Sequence, residues 1–191
     1  MQFTDGSFYH IYNRGNDKHP IFFEERNYDY FLQKVKQYII PNANLLAWCL
    51  MPNHFHFLIQ ATEISQKIVK KSPDVNTLTE AIRLMLSSYT RAIQKQESIT
   101  GSLFQQKTKC KNVDVYLTSA FHYVHQNPYR AGLVKKMEDY PWSSFREYAR
   151  LASENLCVLK IAWQYLHVDK ERLLIDSYGV IPDEVIRRME G

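Results

Sequence analysis

The chain has 191 residues, enough for one domain with a real hydrophobic core and no need of disulfide staples. Hydrophobic residues make up 45% and charged residues 23%, the balance of an ordinary globular protein, and no apolar run approaches the ~20 residues of a membrane helix. The net charge of +4 is mildly basic, and together with 14% aromatic residues it suits a polyanionic partner with stackable bases.

The opening MQFTDGSFYH has no signal-peptide pattern, so a cytoplasmic location is expected. Cys49, Cys110 and Cys157 are odd in number and far apart, which argues for packing roles in a reducing compartment. SFYHIYNR, residues 7–14, is rich in aromatic and β-prone side chains and stops at the turn signal Gly15-Asn16, so it reads as a strand. From Glu24 the positions Tyr28, Phe31, Leu32, Val35 and Ile39 keep helical spacing, and Pro41 ends that element. Residues 44–51 and 54–60 read as two strands joined tightly at Pro52-Asn53, because proline cannot donate to a ladder.

Residues 65–76 are polar and carry Lys67, Lys70 and Lys71, the pattern of a long loop. The next helix is expected near Thr77, with Thr77 and Glu80 at capping-box spacing and a stripe through Leu78, Ile82, Met85, Leu86, Tyr89 and Ile93. LFQQKTKC (103–110) reads as a strand and residues 113–126 as a helix on Val113, Leu117, Phe121 and Val124. That helix should end at Asn127, since the residue before Pro128 is disfavoured in helical dihedrals. The order β-α-β-β-α-β-α begins with a split βαβ unit, so the fold class is α+β: a ferredoxin-like antiparallel sheet with helices on one face. Residues 1–150 form the main domain, and residues 151–191 form a helical C-terminal extension in which IPDEVIRRM is clearest.

LAWCLMPNHFHFLIQ (46–60) places two histidines inside an apolar run. Residues two apart on a strand share a face, so His54 and His56 project together, away from Phe55, Phe57 and Ile59. Such a pair can chelate a divalent ion, or it can be ordinary packing in a chain with seven histidines. On the later helix Tyr116, Ala120, Tyr123 and Asn127 share one face, and Tyr123 and Asn127 are close enough to meet. His122 and His125 form a second pair, on a face nearer solvent, and read as solvated or phosphate-contacting residues.

PNHFHFLI, followed some seventy residues later by YVHQNPYRAGLV, resembles the HUH single-tyrosine transposases, in particular the REP-associated tyrosine transposase branch. FYHIYNRGN and DYPWSSFREY also look like that family, and the resemblance covers residues 7–149. It implies His54 and His56 as metal ligands, Tyr123 as nucleophile, and Asn127 as a third ligand, with Gln126 as the neighbouring alternative. The cofactor implied is Mg²⁺ or Mn²⁺, and the partner is single-stranded DNA with hairpin structure. The activity implied is cleavage and rejoining of that DNA through a 5′-phosphotyrosine intermediate, by a monomer or a homodimer.

Lys107, Lys109, Lys111, Arg130 and Arg14 supply charge for the DNA backbone, joined by Lys135 and Lys136. Tyr12, Tyr9 and Tyr129 are aromatic surfaces for bases. Two other readings stay open: a non-catalytic RNA-recognition-like binding module, which has the same βαββαβ order, and a metallohydrolase that uses the same histidines.

Overall fold

Aromatic and β-prone side chains give β1 (Phe8–Arg14), and α1 (Glu25–Tyr38) follows behind a reciprocal capping box between Glu24 and Asn27. β2 (Ala43–Met51) and β3 (His54–Ala61) form a hairpin around Pro52-Asn53, with Met51 opposite His54. In this computed structural model residues 1–69, 72–152 and 156–190 are described.

The stretch expected as a loop is instead α2 (Glu63–Gln66) and a two-stranded ribbon of β4 (Ile68–Val69) and β5 (Ser72–Asn76). Its closure has a clear cause: the backbone N–H and the hydroxyl of Thr77 both donate to the Lys67 carbonyl, at 2.8 and 2.7 Å. Lys70 and Lys71 lie outside the described residues.

α3 (Thr77–Glu97) is capped by Asn76, whose Oδ1 accepts from Thr79 N–H at 2.9 Å, and not by a Thr77–Glu80 box. Glu80 is turned outward to Arg83, 2.6 Å away. The strand expected over 103–110 is also displaced, because β6 spans Lys109–Asn112. Asn13 Nδ2 donates to the Gln105 carbonyl and to Thr108 Oγ1, which holds the intervening chain out of the ladder. Phe104 makes an isolated bridge to Gly15, and Gln105 N–H donates to the Arg14 carbonyl at 2.9 Å.

After a 3₁₀ turn at Asp114–Tyr116, α4 (Leu117–Arg130) runs through Pro128 and does not stop at Asn127. Proline removes the donor that would have met the Val124 carbonyl. The Asn127 amide group compensates, donating to the Tyr123 carbonyl at 2.8 Å and reaching that of Val124 at 3.5 Å. The helices α5 (Phe145–Tyr148), α6 (Leu159–Tyr165), α7 (Leu173–Asp176) and α8 (Asp183–Glu190) complete the chain.

The main sheet has the order β2-β3-β1-β6 and every pairing is antiparallel, the ferredoxin-like arrangement expected. α1 and α3 pack together on one face, where Phe31 meets Phe55, Phe57 and Tyr89. α4 covers the opposite face, the one to which His54 and His56 point.

The described part of the extension joins the same core. Leu156, Cys157, Leu173, Val185 and Met189 are buried, and Val158 N–H donates to the Leu45 carbonyl at 2.8 Å. Glu147 ties this segment to the sheet by accepting from Trp48 Nε1 and from Cys157 N–H. Cys49, Cys110 and Cys157 are free thiols. Among the described residues no helix is long and apolar enough to cross a membrane.

Candidate active site

The strand register assembles the site. On the face under α4, Tyr12 stands opposite His56 and Arg14 opposite His54, while on the other side of β1 Tyr12 pairs with Lys109. Cross-strand partners share a face, so these side chains form adjoining rows. α4 lies over them, and the gap is a cleft of about 470 Å³ that includes His54, His56, Tyr123, Asn127 and Arg130.

Each histidine has one ring nitrogen fixed by a neighbour. His54 Nδ1 lies 2.6 Å from Asn53 Oδ1, and Asn53 Nδ2 donates to the Lys18 carbonyl, so Asn53 presents its oxygen to the ring. His54 therefore carries its proton on Nδ1 and keeps a lone pair on Nε2. His56 is 3% exposed, and its Nδ1 lies 2.8 Å from Nε2 of His10, which is fully buried on β1. His56 Nε2 is buried and has no hydrogen-bond partner among the described residues.

Burial keeps these rings neutral, as metal ligation requires. It pushes His54 down to about 4, helped by Arg14 and opposed by the nearby Asn127 side chain. His10 goes down to about 3 by burial and then by Lys111, and His56 falls well below its ordinary value by burial and then by its neighbours His10, His54 and Arg14.

Tyr123 is 4% exposed and sits edge-on to both buried histidines, with ring centroids 5.6 Å from His56 and 5.7 Å from His10. One turn later Asn127 has its amide nitrogen committed to helix carbonyls, so Oδ1 is the atom left for His54 and the cleft. Gln126 points elsewhere: it is buried, and its Nε2 donates to the carbonyls of Ser177 and Gly179, both at 2.8 Å. Among the described residues no group of three His, Cys, Asp or Glu side chains is arranged to hold a metal.

The charged and aromatic residues separate. Arg14, Lys109, Arg130 and Tyr12 line the cleft. Lys107 is exposed outside it, and Lys111 sits one row deeper, with Nζ donating to the Arg188 carbonyl. Tyr9 is not available to bases, because it is buried against Phe3 on the other face and its hydroxyl accepts from Thr4 N–H. Tyr129 is exposed, edge-on to Tyr178.

His122 and His125 are not the solvent-facing pair that helical spacing suggested. His125 is fully buried among Phe121, Phe145 and Tyr148, with Nε2 2.8 Å from Ser144 Oγ. His122 is half-buried against Ser177. Residues 144–148 cover His125, and Ser177 of the C-terminal segment packs on His122.

No protein-family model matches the chain, and no curated protein does. Among solved structures, that of a REP-associated tyrosine transposase bound to a REP hairpin is similar, with a TM-score of 0.60 over 82% of this chain and 87% of that one, at 14% sequence identity. The likeness is one of fold. It extends beyond the split βαβ unit, since the share of this chain that is covered exceeds what residues 1–112 alone amount to.

Proposed function

We propose that the chain is a divalent-metal-dependent, single-tyrosine nuclease and strand transferase acting on single-stranded DNA beside a hairpin. The observation that carries this reading is the edge-on contact of Tyr123 with His56, whose buried Nε2 lacks a partner, in a cleft lined by Arg14, Lys109 and Arg130. A buried ring nitrogen with no partner among the described residues, at the edge of a cleft, is free to serve as a ligand. The hairpin substrate is suggested by the similar structure, whose REP-associated tyrosine transposase is bound to a REP hairpin.

His54 Nε2, His56 Nε2 and Asn127 Oδ1 would hold Mg²⁺ or Mn²⁺, which when bound supplies Lewis-acid relief of charge on the phosphate. These ligands are neutral, so they leave the ion its full charge. Tyr123 Oη attacks the phosphorus: the Oη–P bond forms as the P–O3′ bond breaks, giving a 5′-phosphotyrosine and a free 3′-OH. The phosphoester is retained in the protein link, so a 3′-OH can later displace the tyrosine and rejoin a strand without ATP. A phenol ordinarily has a pKa of about 10, so the attack requires a neighbouring cation to lower the cost of the phenolate. Packing against two imidazoles fixes the ring, which removes orientational freedom before attack.

A non-catalytic RNA-recognition module is disfavoured by the same geometry. Such a module stacks bases on its open sheet face, and here α4 covers that face and Tyr123 packs on its histidines. The deciding experiment incubates the protein with Mn²⁺ and a library of hairpins that carry single-stranded flanks, then resolves the products on a denaturing gel. A covalent protein–DNA band that vanishes in Tyr123→Phe supports the reading. Tight binding with no adduct across the library overturns it.

A further inference from the structure

We infer that His10 is a positioning residue: it accepts the Nδ1 proton of His56 and thereby holds the Nε2 lone pair of His56 toward the cleft for a divalent cation. This rests on the proposed metal-dependent function and adds a residue to it that neither the histidine motif nor the tyrosine helix contains.

The geometry leaves little freedom. Nε2 of His10 and Nδ1 of His56 are 2.8 Å apart, and the two rings are nearly parallel, with an interplanar angle of 12°. Tyr12 stacks on His10 at 4.8 Å between centroids and Tyr123 closes on its edge, so the His10 ring cannot turn away without breaking both contacts. Both rings are buried, His10 completely, so no solvent stands in for a missing partner.

A neutral imidazole carries one proton, on one nitrogen or the other. If His56 is to donate its Nε2 lone pair to a cation, its proton must be on Nδ1, and the atom facing Nδ1 is His10 Nε2. His10 must then be the acceptor and keep its own proton on Nδ1. The opposite tautomer places a hydrogen on His56 Nε2, which blocks that nitrogen as a ligand. A cation on His56 Nε2 therefore sets the tautomer of both rings, with the His10 proton on Nδ1, an atom that has no hydrogen-bond partner among the described residues. Asn53 does the corresponding work for His54, through a carbonyl oxygen that can only accept. The two candidate ligands thus have acceptors of different kinds, and His10 is the one that must itself be in the right tautomer.

Partners of this kind typically change metal affinity 10- to 100-fold when removed. The test uses full-length protein and Mn²⁺, with binding followed by the loss of the free-ion paramagnetic resonance signal, alongside thermal unfolding of each variant. His10→Phe keeps a flat ring and removes the acceptor, so Mn²⁺ affinity should fall about 10- to 100-fold. His10→Gln keeps an acceptor oxygen and should restore affinity to within a few-fold of the parent. In the parent saturated with Mg²⁺, nitrogen-15 spectra of the histidine side chains should show His56 protonated at Nδ1 and His10 protonated at Nδ1.

A His56 ring protonated at Nε2 under those conditions overturns the inference, as does a folded His10→Phe protein with parental Mn²⁺ affinity. Either result leaves the DNA adduct and its dependence on Tyr123 standing, so the proposed function survives it. A parent that binds no Mn²⁺ and forms no adduct removes the function itself, and the role of His10 with it.

Discussion

Tyr123 and His56 meet edge to face, with ring centroids 5.6 Å apart and planes at 89°, although they come from a helix and a strand separated by most of the split βαβ unit. The contact brings a phenol and a candidate metal ligand together within one chain, so the proposed function has Tyr123 act in its own subunit's site. Tyr123→Phe should abolish the covalent adduct with hairpin DNA while leaving DNA affinity and fold in place. Loss of one buried hydroxyl costs about 0.5–1.5 kcal/mol, so the melting curve of the variant checks that the effect is chemical. Mixing Tyr123→Phe with a His56→Ala protein should restore no adduct; recovery in the mixture would mean that tyrosine and histidines act across subunits.

Asn127 and Gln126 are neighbours with opposite assignments, and a pair of alanine variants separates them. Asn127→Ala removes the amide that caps the carbonyls left open by Pro128 and removes Oδ1 from the cleft. Stability should drop by about 1 kcal/mol, and Mn²⁺ affinity should fall as well. Gln126→Ala loses both bonds to the Ser177 and Gly179 carbonyls. It should cost roughly 1–3 kcal/mol in denaturant unfolding yet leave Mn²⁺ affinity as it is. Equal metal affinity in both variants would remove Asn127 from the ligand set.

The parts of this site readable from sequence were those that depend on one element at a time. The strand period alone puts His54 and His56 on one face, and the helix period alone puts Tyr123 one turn before Asn127. Residues whose role depends on pairing between elements were not readable. His10 gains its role from the β1–β3 register, which sets it diagonally beside His56, and β1 taken alone gives no sign of that. The placement of His125 failed for a related reason: Ser144, Phe145 and Tyr148, which bury it, lie about twenty residues further on, where the sequence pattern is less legible. Pro128 misled because a side chain, Asn127, repairs the bond that proline breaks, and propensity rules take no account of such repair.

The cations divide into those that line the cleft and those that do not, which gives a salt test. Arg130 borders the cleft whereas Lys107 is exposed away from it. Each phosphate contact to single-stranded DNA adds about 0.7 to the slope of log affinity against log salt. Arg130→Ala should lower that slope by about this amount, whereas Lys107→Ala should leave it unchanged. An equal drop for Lys107 would mean that the DNA track runs along the outer loop before β6.

Acid sensitivity provides a test away from the cleft. Burial, then repulsion from His122, holds His125 well below its ordinary value, so the folded protein keeps this ring neutral. In the unfolded chain the ring takes up a proton below about pH 6.5. The unfolded state then binds more protons than the folded one, so stability is full above that pH and declines as pH falls toward the folded value. The slope from one such group reaches about 1.4 kcal/mol per pH unit. His10, His54 and His56 contribute in the same direction. Buried Glu147, whose carboxyl is raised by burial, opposes them at the acid end. His125→Gln keeps a group able to reach Ser144 and cannot titrate, so comparing it with the parent isolates one term from the rest. Urea unfolding of the two proteins between about pH 7 and pH 5 should give curves that diverge by up to one such increment per unit below pH 6.5. The variant should be the flatter of the two; parallel curves would mean that His125 is charged in the fold and that its burial among Phe121, Phe145 and Tyr148 is not tight.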